Sequence, residues 1–332
     1  MPPSTPAAPT IAQQIKQIAR GKHGAQHLSR EDARHVFHAL LAEDADPLQL
    51  GAFLIGERIK GETSAELAGF VEAARAYITG FGTLQAPKNA VDLPCYAGKR
   101  RAPHTYLAAA LKARDSGIPI LIHGIDPIPG RVTAWQILRQ CGVARAHDLS
   151  DAQQLLQRAG IAYIDLAELC PALHRIYLLR ERLGVRTCAN TVARLLNPLR
   201  CRGQLNGFFH PPYADYMAGA NRLLAQPRSL LFMGAEGEPE LYADRQKLIL
   251  CQQQDHQYAM RYPAANTAAY PRSAIDLALL EQQSLRIIAG EETEPRQQAV
   301  MQRMHEAFSW AASGTALETV HHWHKLTKEE QS

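Results

Sequence analysis

Two basic runs hold the most concentrated chemistry in this chain. Lys99, Arg100, Arg101, Lys112 and Arg114 fall within residues 95–114, with no acidic residue among them. Arg175, Arg180, Arg182, Arg186, Arg194, Arg200 and Arg202 fall within 170–202, opposed by Glu181 alone. The formal charge of all 332 residues is only +4, yet these 53 residues carry +11 and leave −7 on the rest. Such a split points to a localised anionic partner. Arginine is the only Lys/Arg cation in the second run, and a guanidinium both forks onto phosphate oxygens and stacks on bases. Tyr96, Tyr177, Phe209 and Tyr213, with Phe208 and Tyr216, are near enough in sequence to offer stacking surfaces. Core packing is the competing reading for these aromatics.

Other reactive side chains form no recognisable centre. The six cysteines contain no CxxC pair or zinc spacing, which fits free thiols in a reducing cytosol. Cys95 has no base identifiable beside it and reads as a buried thiol, not a nucleophile. His35 and His38 lie three residues apart, and His321, His322 and His324 crowd the C-terminal end, without a ligand set of known metal geometry. No metal and no cofactor is expected, and no catalytic residue is assigned.

The elements that must position these residues fall into two parts. With 46% apolar and 20% charged residues, the chain has the composition of a folded protein. No stretch approaches the ~18 consecutive apolar residues of a membrane span. The opening MPPSTPAAPT lacks a basic and then apolar leader pattern, so a cytoplasmic protein without membrane contact is expected. Residues 1–10 and 317–332 read as tails. Residues 11–85 read as a helical subdomain. Ser29 with Asp32 and Thr63 with Glu66 form capping boxes, and Asp46-Pro47 caps a third helix whose apolar face runs through Leu50, Leu54 and Ile59. Residues 86–316 read as an α/β domain. Short apolar runs at 91–95, 118–124, 161–165, 229–234 and 247–251, the first three separated by helical stretches at 104–116, 131–141 and 151–159, predict βαβ units. The fold class is therefore α/β with a mainly parallel central sheet and a small N-terminal helical subdomain.

From Leu28 to about Gly314 the chain resembles the anthranilate phosphoribosyltransferase family. The helical start LSREDARHVFHALLAEDADPLQLGAFLIGERIKGETSAELAGFVEAAR and LGVRTCANTVARLLNPL (183–199) carry the likeness. The resemblance implies a homodimer with the helical subdomain at its interface, part of 170–200 returning to that subdomain, and a cleft between the two parts. The enzymes' diphosphate loop reads GTGGD, whereas this chain has Cys95-Tyr96-Ala97-Gly98-Lys99. Side chains at those glycine positions obstruct the close backbone approach a diphosphate needs. The KHGNR segment becomes Ile122-His123-Gly124-Ile125-Asp126, and the serines and acid of SSxxGSAD are absent from Pro129–Gln136. The metal motif DGLDE becomes Glu236-Gly237-Glu238-Pro239-Glu240. Arg180 falls where the enzymes carry an anthranilate-contacting arginine.

These departures resemble the YbiB-type branch of the same superfamily. That resemblance implies sequence-independent binding of nucleic acid, DNA foremost, and a link to DNA-damage responses. The expected contacts are Lys99, Arg100, Arg101, Arg175, Arg180, Arg182, Arg186, Arg194, Arg200 and Arg202. Arg175 and Arg182 are expected two turns apart on one helix face. The alternative is a phosphoribosyltransferase with a remodelled donor site, using Glu236 and Glu240 for magnesium and Arg180 for an acidic acceptor.

Overall fold

The computed structural model describes residues 9–21, 23–210, 213–254, 256–291, 293–315 and 324–325. Most of the two expected tails lies outside these residues. Four helices, Ile11–Ile18, Arg30–Leu41, Pro47–Lys60 and Ser64–Ala76, form the N-terminal bundle. Their ends follow the capping chemistry: Ser29 accepts from Asp32 N–H, Asp46 from Leu48 and Gln49, and Thr63 and Glu66 cap each other. Phe37, Phe53 and Phe70 meet in the bundle core with centroids 4.9 and 5.8 Å apart.

The remainder is built on one sheet. Its strands are β1 (Val91–Cys95), β2 (Ile120–Gly124), β3 (Arg145–Ala146), β4 (Ile161–Asp165), β5 (Gly203–Phe208), β6 (Arg228–Met233), β7 (Lys247–Gln253), β8 (His256–Tyr262) and β9 (His324–Lys325). They lie in the order β3-β4-β2-β1-β5-β6-β7-β8-β9. The pairs from β3 to β6 are parallel and those from β6 to β9 antiparallel. β1, β2, β4 and β5 are buried along their whole length, because helices cover both faces of a parallel sheet. Val91, Leu93 and Cys95 pack with Tyr106, Leu107 and Phe308 on one side. Leu121, Leu156 and Met217 belong to the core continuous with the bundle on the other.

Four strands escaped the sequence pattern, the short β9 within the expected C-terminal tail among them. β5 reads GQLNGF because its inner polar residues bond to neighbours: Gln204 donates to Asp92 (2.8 Å), and Gln204 and Asn206 donate to the Arg194 carbonyl (3.2 and 2.9 Å). β3 is two residues long and β8 reads HQYAMRY, half of it exposed to solvent. The stretch 131–141 is also shorter than expected, an α-helix over Ala134–Leu138 ending in a 3-10 turn.

The chain between β4 and β5 rests on the bundle. Arg75 donates to the carbonyls of Leu196 (2.8 Å) and Leu195 (3.2 Å), and Arg175 donates to Leu41 (2.9 Å). The segment is not one helix. Pro171–Leu178 and Arg180–Leu183 are two helices that meet at Leu179, whose own φ of −62° and ψ of −14° stay right-handed helical.

Candidate anion-binding cleft

In the sheet order, β1 leads through its crossover helix Thr105–Asp115 to β2 on one side, whereas β5 leads to β6 on the other. A crevice outside the carboxyl ends of such a pair is where open α/β sheets take ligands. β1 and β5 pair only at Val91↔Gly203 and Asp92↔Gln204, then part. Pro94, with no N–H to offer, sits where they have parted. The loop 96–101 leaves β1 at this crevice.

That loop is occupied from within. Glu238 Oε1 accepts from the N–H of Ala97 (2.9 Å) and of Gly98. Glu236 accepts from the N–H of Arg100 and Arg101, both at 3.1 Å. Glu240 takes the Lys99 ammonium at 2.5 Å and the Tyr106 N–H at 3.1 Å. Three carboxylates thus satisfy the backbone donors and the lysine of the loop. Gly234 lets the strand-end loop come this close, since a Cβ there would meet the Glu238 carbonyl oxygen at 1.8 Å. Glu236 holds a left-handed φ of 59°, which turns its carboxylate toward the loop. Burial pushes the Glu238 carboxyl up, and the Gly98 and Ala97 N–H groups pull it back.

These glutamates do not make a magnesium site. Each is committed to different donors, and among the described residues no group of three His, Cys, Asp or Glu side chains converges on one point. Magnesium needs free oxygen ligands around a near-octahedral centre, and the residues present do not fit it.

Several expected contacts change role. Lys99 has no exposed surface, and its ammonium is shared between Glu240 and the Pro103 carbonyl (2.7 Å), so it is an internal ion pair and not a phosphate contact. Tyr96 is buried, bonded to His123 Nδ1 at 2.7 Å, and Tyr177 donates to the Tyr96 carbonyl at 2.9 Å. Neither ring can stack on a base. Arg175 is tied to the bundle by Leu41 and by Glu43 (3.6 Å). Arg200 and Arg202 are exposed but precede β5, at the amino-terminal end of the parallel strands, away from the crevice. Lys112 and Arg114 lie on the helix behind the sheet, where Arg114 pairs with Asp115.

Arg100, Arg180, Arg186 and Arg194 gather at the crevice, and Arg182 is exposed on the short helix that carries Arg180. Arg131 feels the like charges of Arg100 and Arg180, and Arg186 those of Arg194, Arg180 and Arg131, so the two basic runs meet in space. Burial and this crowding push the Arg186 guanidinium down to about 10. Glu236 approaches Arg101 (3.5 Å) and Arg131 (3.7 Å), whereas Arg100, Arg180, Arg182 and Arg186 have no ion-pair partner among the described residues. Arg194 donates to the Asn190 carbonyl at 2.6 Å and lies 5.9 Å from the Tyr96 ring centroid. Phe209 is exposed and Tyr213 half-buried, the latter 3.4 Å from Glu62. Arg131 and Arg58 also face this region and stand outside the two runs. Arg131 sits inside the altered SSxxGSAD stretch, the one signal that pointed to it.

A helical bundle over a mainly parallel sheet, with its crevice where the strand order reverses, is the architecture of a class of glycosyl-transferring enzymes. Residues 12–78 match the glycosyl transferase family helical bundle domain, and residues 104–317 match its a/b domain, so the chain belongs to this glycosyl transferase family, family 3. It is 31% identical over 236 residues to the uncharacterized protein YbiB of Escherichia coli K12, covering 70% of this chain and 72% of that one. It is 29% identical over 234 residues to an anthranilate phosphoribosyltransferase of Rhodospirillum rubrum, covering 70% and 67%. The crystal structure of anthranilate phosphoribosyltransferase from Thermus thermophilus superposes with a TM-score of 0.73 over 91% of this chain and 90% of that one, at 23% identity. The last comparison establishes the fold.

Proposed function

We propose that this chain binds nucleic acid without sequence preference, through phosphate contacts by Arg100, Arg131, Arg180, Arg182 and Arg186 at the crevice, on a fold that has given up phosphoribosyl transfer. The observation that carries this reading is the pairing of opposites around one loop. The N–H groups that would cradle a donor diphosphate are held by Glu238 and Glu236, while Arg100, Arg180, Arg182 and Arg186 outside them have no ion-pair partner among the described residues. Like charges crowded together at half-buried positions gain stability when an anion arrives. Exposed Phe209 and Tyr216 offer rings beside this surface. A homodimer belongs to the same reading: Leu48 and Ile59 on the bundle are 79% and 76% exposed along an apolar groove. Among the described residues no helix is long and apolar enough to cross a membrane, and a cytoplasmic setting is proposed with the rest.

Kinship favours a second reading, a phosphoribosyltransferase-like enzyme with a remodelled donor site, because relatives about 30% identical carry the name anthranilate phosphoribosyltransferase. Such an enzyme requires Glu238 and Glu236 to release the loop before a donor enters.

Fluorescence anisotropy of a labelled single-stranded oligonucleotide separates the two. The nucleic-acid reading expects tight binding at low salt that weakens by roughly 0.7 log unit per log salt for each phosphate neutralised. No binding at low salt, together with thermal stabilisation by phosphoribosyl diphosphate and magnesium, overturns it in favour of the enzyme.

A further inference from the structure

Beneath the arginine surface, between the bundle and the α/β domain, lies a cavity of about 70 Å³ lined by Arg58, Arg186, Arg194, Thr187, Asn190 and Thr191, with Phe209 also on its wall. Three guanidiniums enter its lining, and no carboxylate does. Outside the lining, buried Glu62 accepts from the Tyr213 hydroxyl at 3.4 Å and also feels the charge of Arg58, which leaves Arg186 and Arg194 as the cations it does not answer. Arg186 has no hydrogen-bond or ion-pair partner among the described residues. Its guanidinium is pushed down to about 10 by burial and by its arginine neighbours, which is the signature of a positive site lacking its anion.

Size and charge narrow the ligand. A pocket of about 70 Å³ that opens to solvent has room for one tetrahedral phosphate. An internal phosphodiester carries a sugar on either side, whereas a phosphate at a strand end has one face free to turn toward the guanidiniums. A phosphomonoester also carries about −1.5 to −2 charges at neutral pH, which matches several guanidiniums better than the single charge of a diester. Exposed Phe209 is placed to stack on the terminal base.

We propose that this cavity is a receptor for the terminal phosphomonoester of a nucleic-acid strand, seated among Arg58, Arg186 and Arg194. The inference rests on the nucleic-acid reading above and adds preference for phosphorylated ends. The test compares one oligothymidylate in three forms, with a 5′-phosphate, with a 3′-phosphate and with hydroxyls at both ends, by anisotropy on the full chain. One phosphorylated form is expected to bind about tenfold more tightly than the hydroxyl form, the scale of one charge-assisted hydrogen-bonded contact, and which form does so identifies the strand end. Arg186→Ala is expected to bring the forms together. Arg58→Ala reports the same from the opposite wall should the first variant fold poorly. Arg100→Ala, outside the cavity, is expected to weaken all three forms and keep their ratio. Equal affinities of the three forms for the unaltered protein, with salt-sensitive binding intact, overturn the terminal-phosphate site and leave the nucleic-acid reading standing. Absence of binding by every form overturns both.

Discussion

The loop after β1 and the arginines around it are neighbours that handle charge in opposite ways. Inside the loop Glu236, Glu238 and Glu240 take the N–H groups of Ala97, Gly98, Arg100 and Arg101, the Lys99 ammonium and, from the helix that follows, the Tyr106 N–H. Outside it, Arg100, Arg180 and Arg186 are left to one another's repulsion. A buried polar group without a partner is expensive, so the inner set is fixed by folding alone. An exposed or half-buried cation can wait on solvent, so the outer set is free to meet a ligand. The same acidic motif that would hold a metal for transfer chemistry serves here as a structural clasp.

The clasp is the place to break that contrast with the largest effect. Glu238→Ala leaves the Ala97 and Gly98 N–H groups and the Tyr106 hydroxyl without their acceptor, and is expected to cost about 3 kcal/mol in denaturant unfolding. Glu238→Gln keeps an acceptor oxygen and is expected to cost well under half of that. A neutral alanine variant would show that the clasp does not hold the loop. On the outer set, Arg100, Arg180 and Arg186 replaced together by alanine are expected to lower oligonucleotide affinity about a hundredfold at low salt and to flatten the salt slope by roughly two units, with the melting temperature little changed. A retained slope would place the binding surface elsewhere.

The bundle supplies a sharper test of the rule that unmatched buried charge is costly. Glu57 is wholly buried; Lys60 Nζ lies 3.1 Å away but makes no hydrogen bond to either carboxylate oxygen. Burial, then the charge of Glu66, raises its carboxyl from 4.5 to about 8. The folded state therefore keeps a proton that the unfolded chain has already lost across that interval. The resulting stability is present in full below pH 4.5 and is lost as the pH climbs to 8. Glu57→Gln removes this dependence and is expected to stabilise the fold at pH 8 by about 2 kcal/mol, allowing for relaxation around the buried group. Equal gains at pH 5 and pH 8 would contradict the titration. The smallest effect is expected at the far end of the sheet: Arg200→Ala with Arg202→Ala should change oligonucleotide affinity by less than about threefold. A loss matching that of the crevice arginines would erase the distinction between the two ends.

Local rules were enough to read three of the four bundle helices, because Ser29, Asp46 and Thr63 cap with their own side chains and the apolar spacing follows at once. β1, β2, β4, β6 and β7 were legible for a similar reason, as continuous apolar runs with both faces covered. β5 was not, since Gln204 and Asn206 are satisfied by partners at Asp92 and Arg194 that sequence spacing does not reveal. Among the candidate contacts, sequence located the two basic runs and the departure from GTGGD. Sequence alone could not sort them, because burial depends on what other segments bring. Lys99 went inside when Glu240, 141 residues later, arrived to pair it, and Tyr96 when His123 did. Arg200 and Arg202 were carried to the opposite end of the strands by the register of β5 on β1. The composition set how much positive charge the chain would hold, and only the tertiary structure, through long-range pairing at the strand ends, decided which of it would be left without a counter-charge.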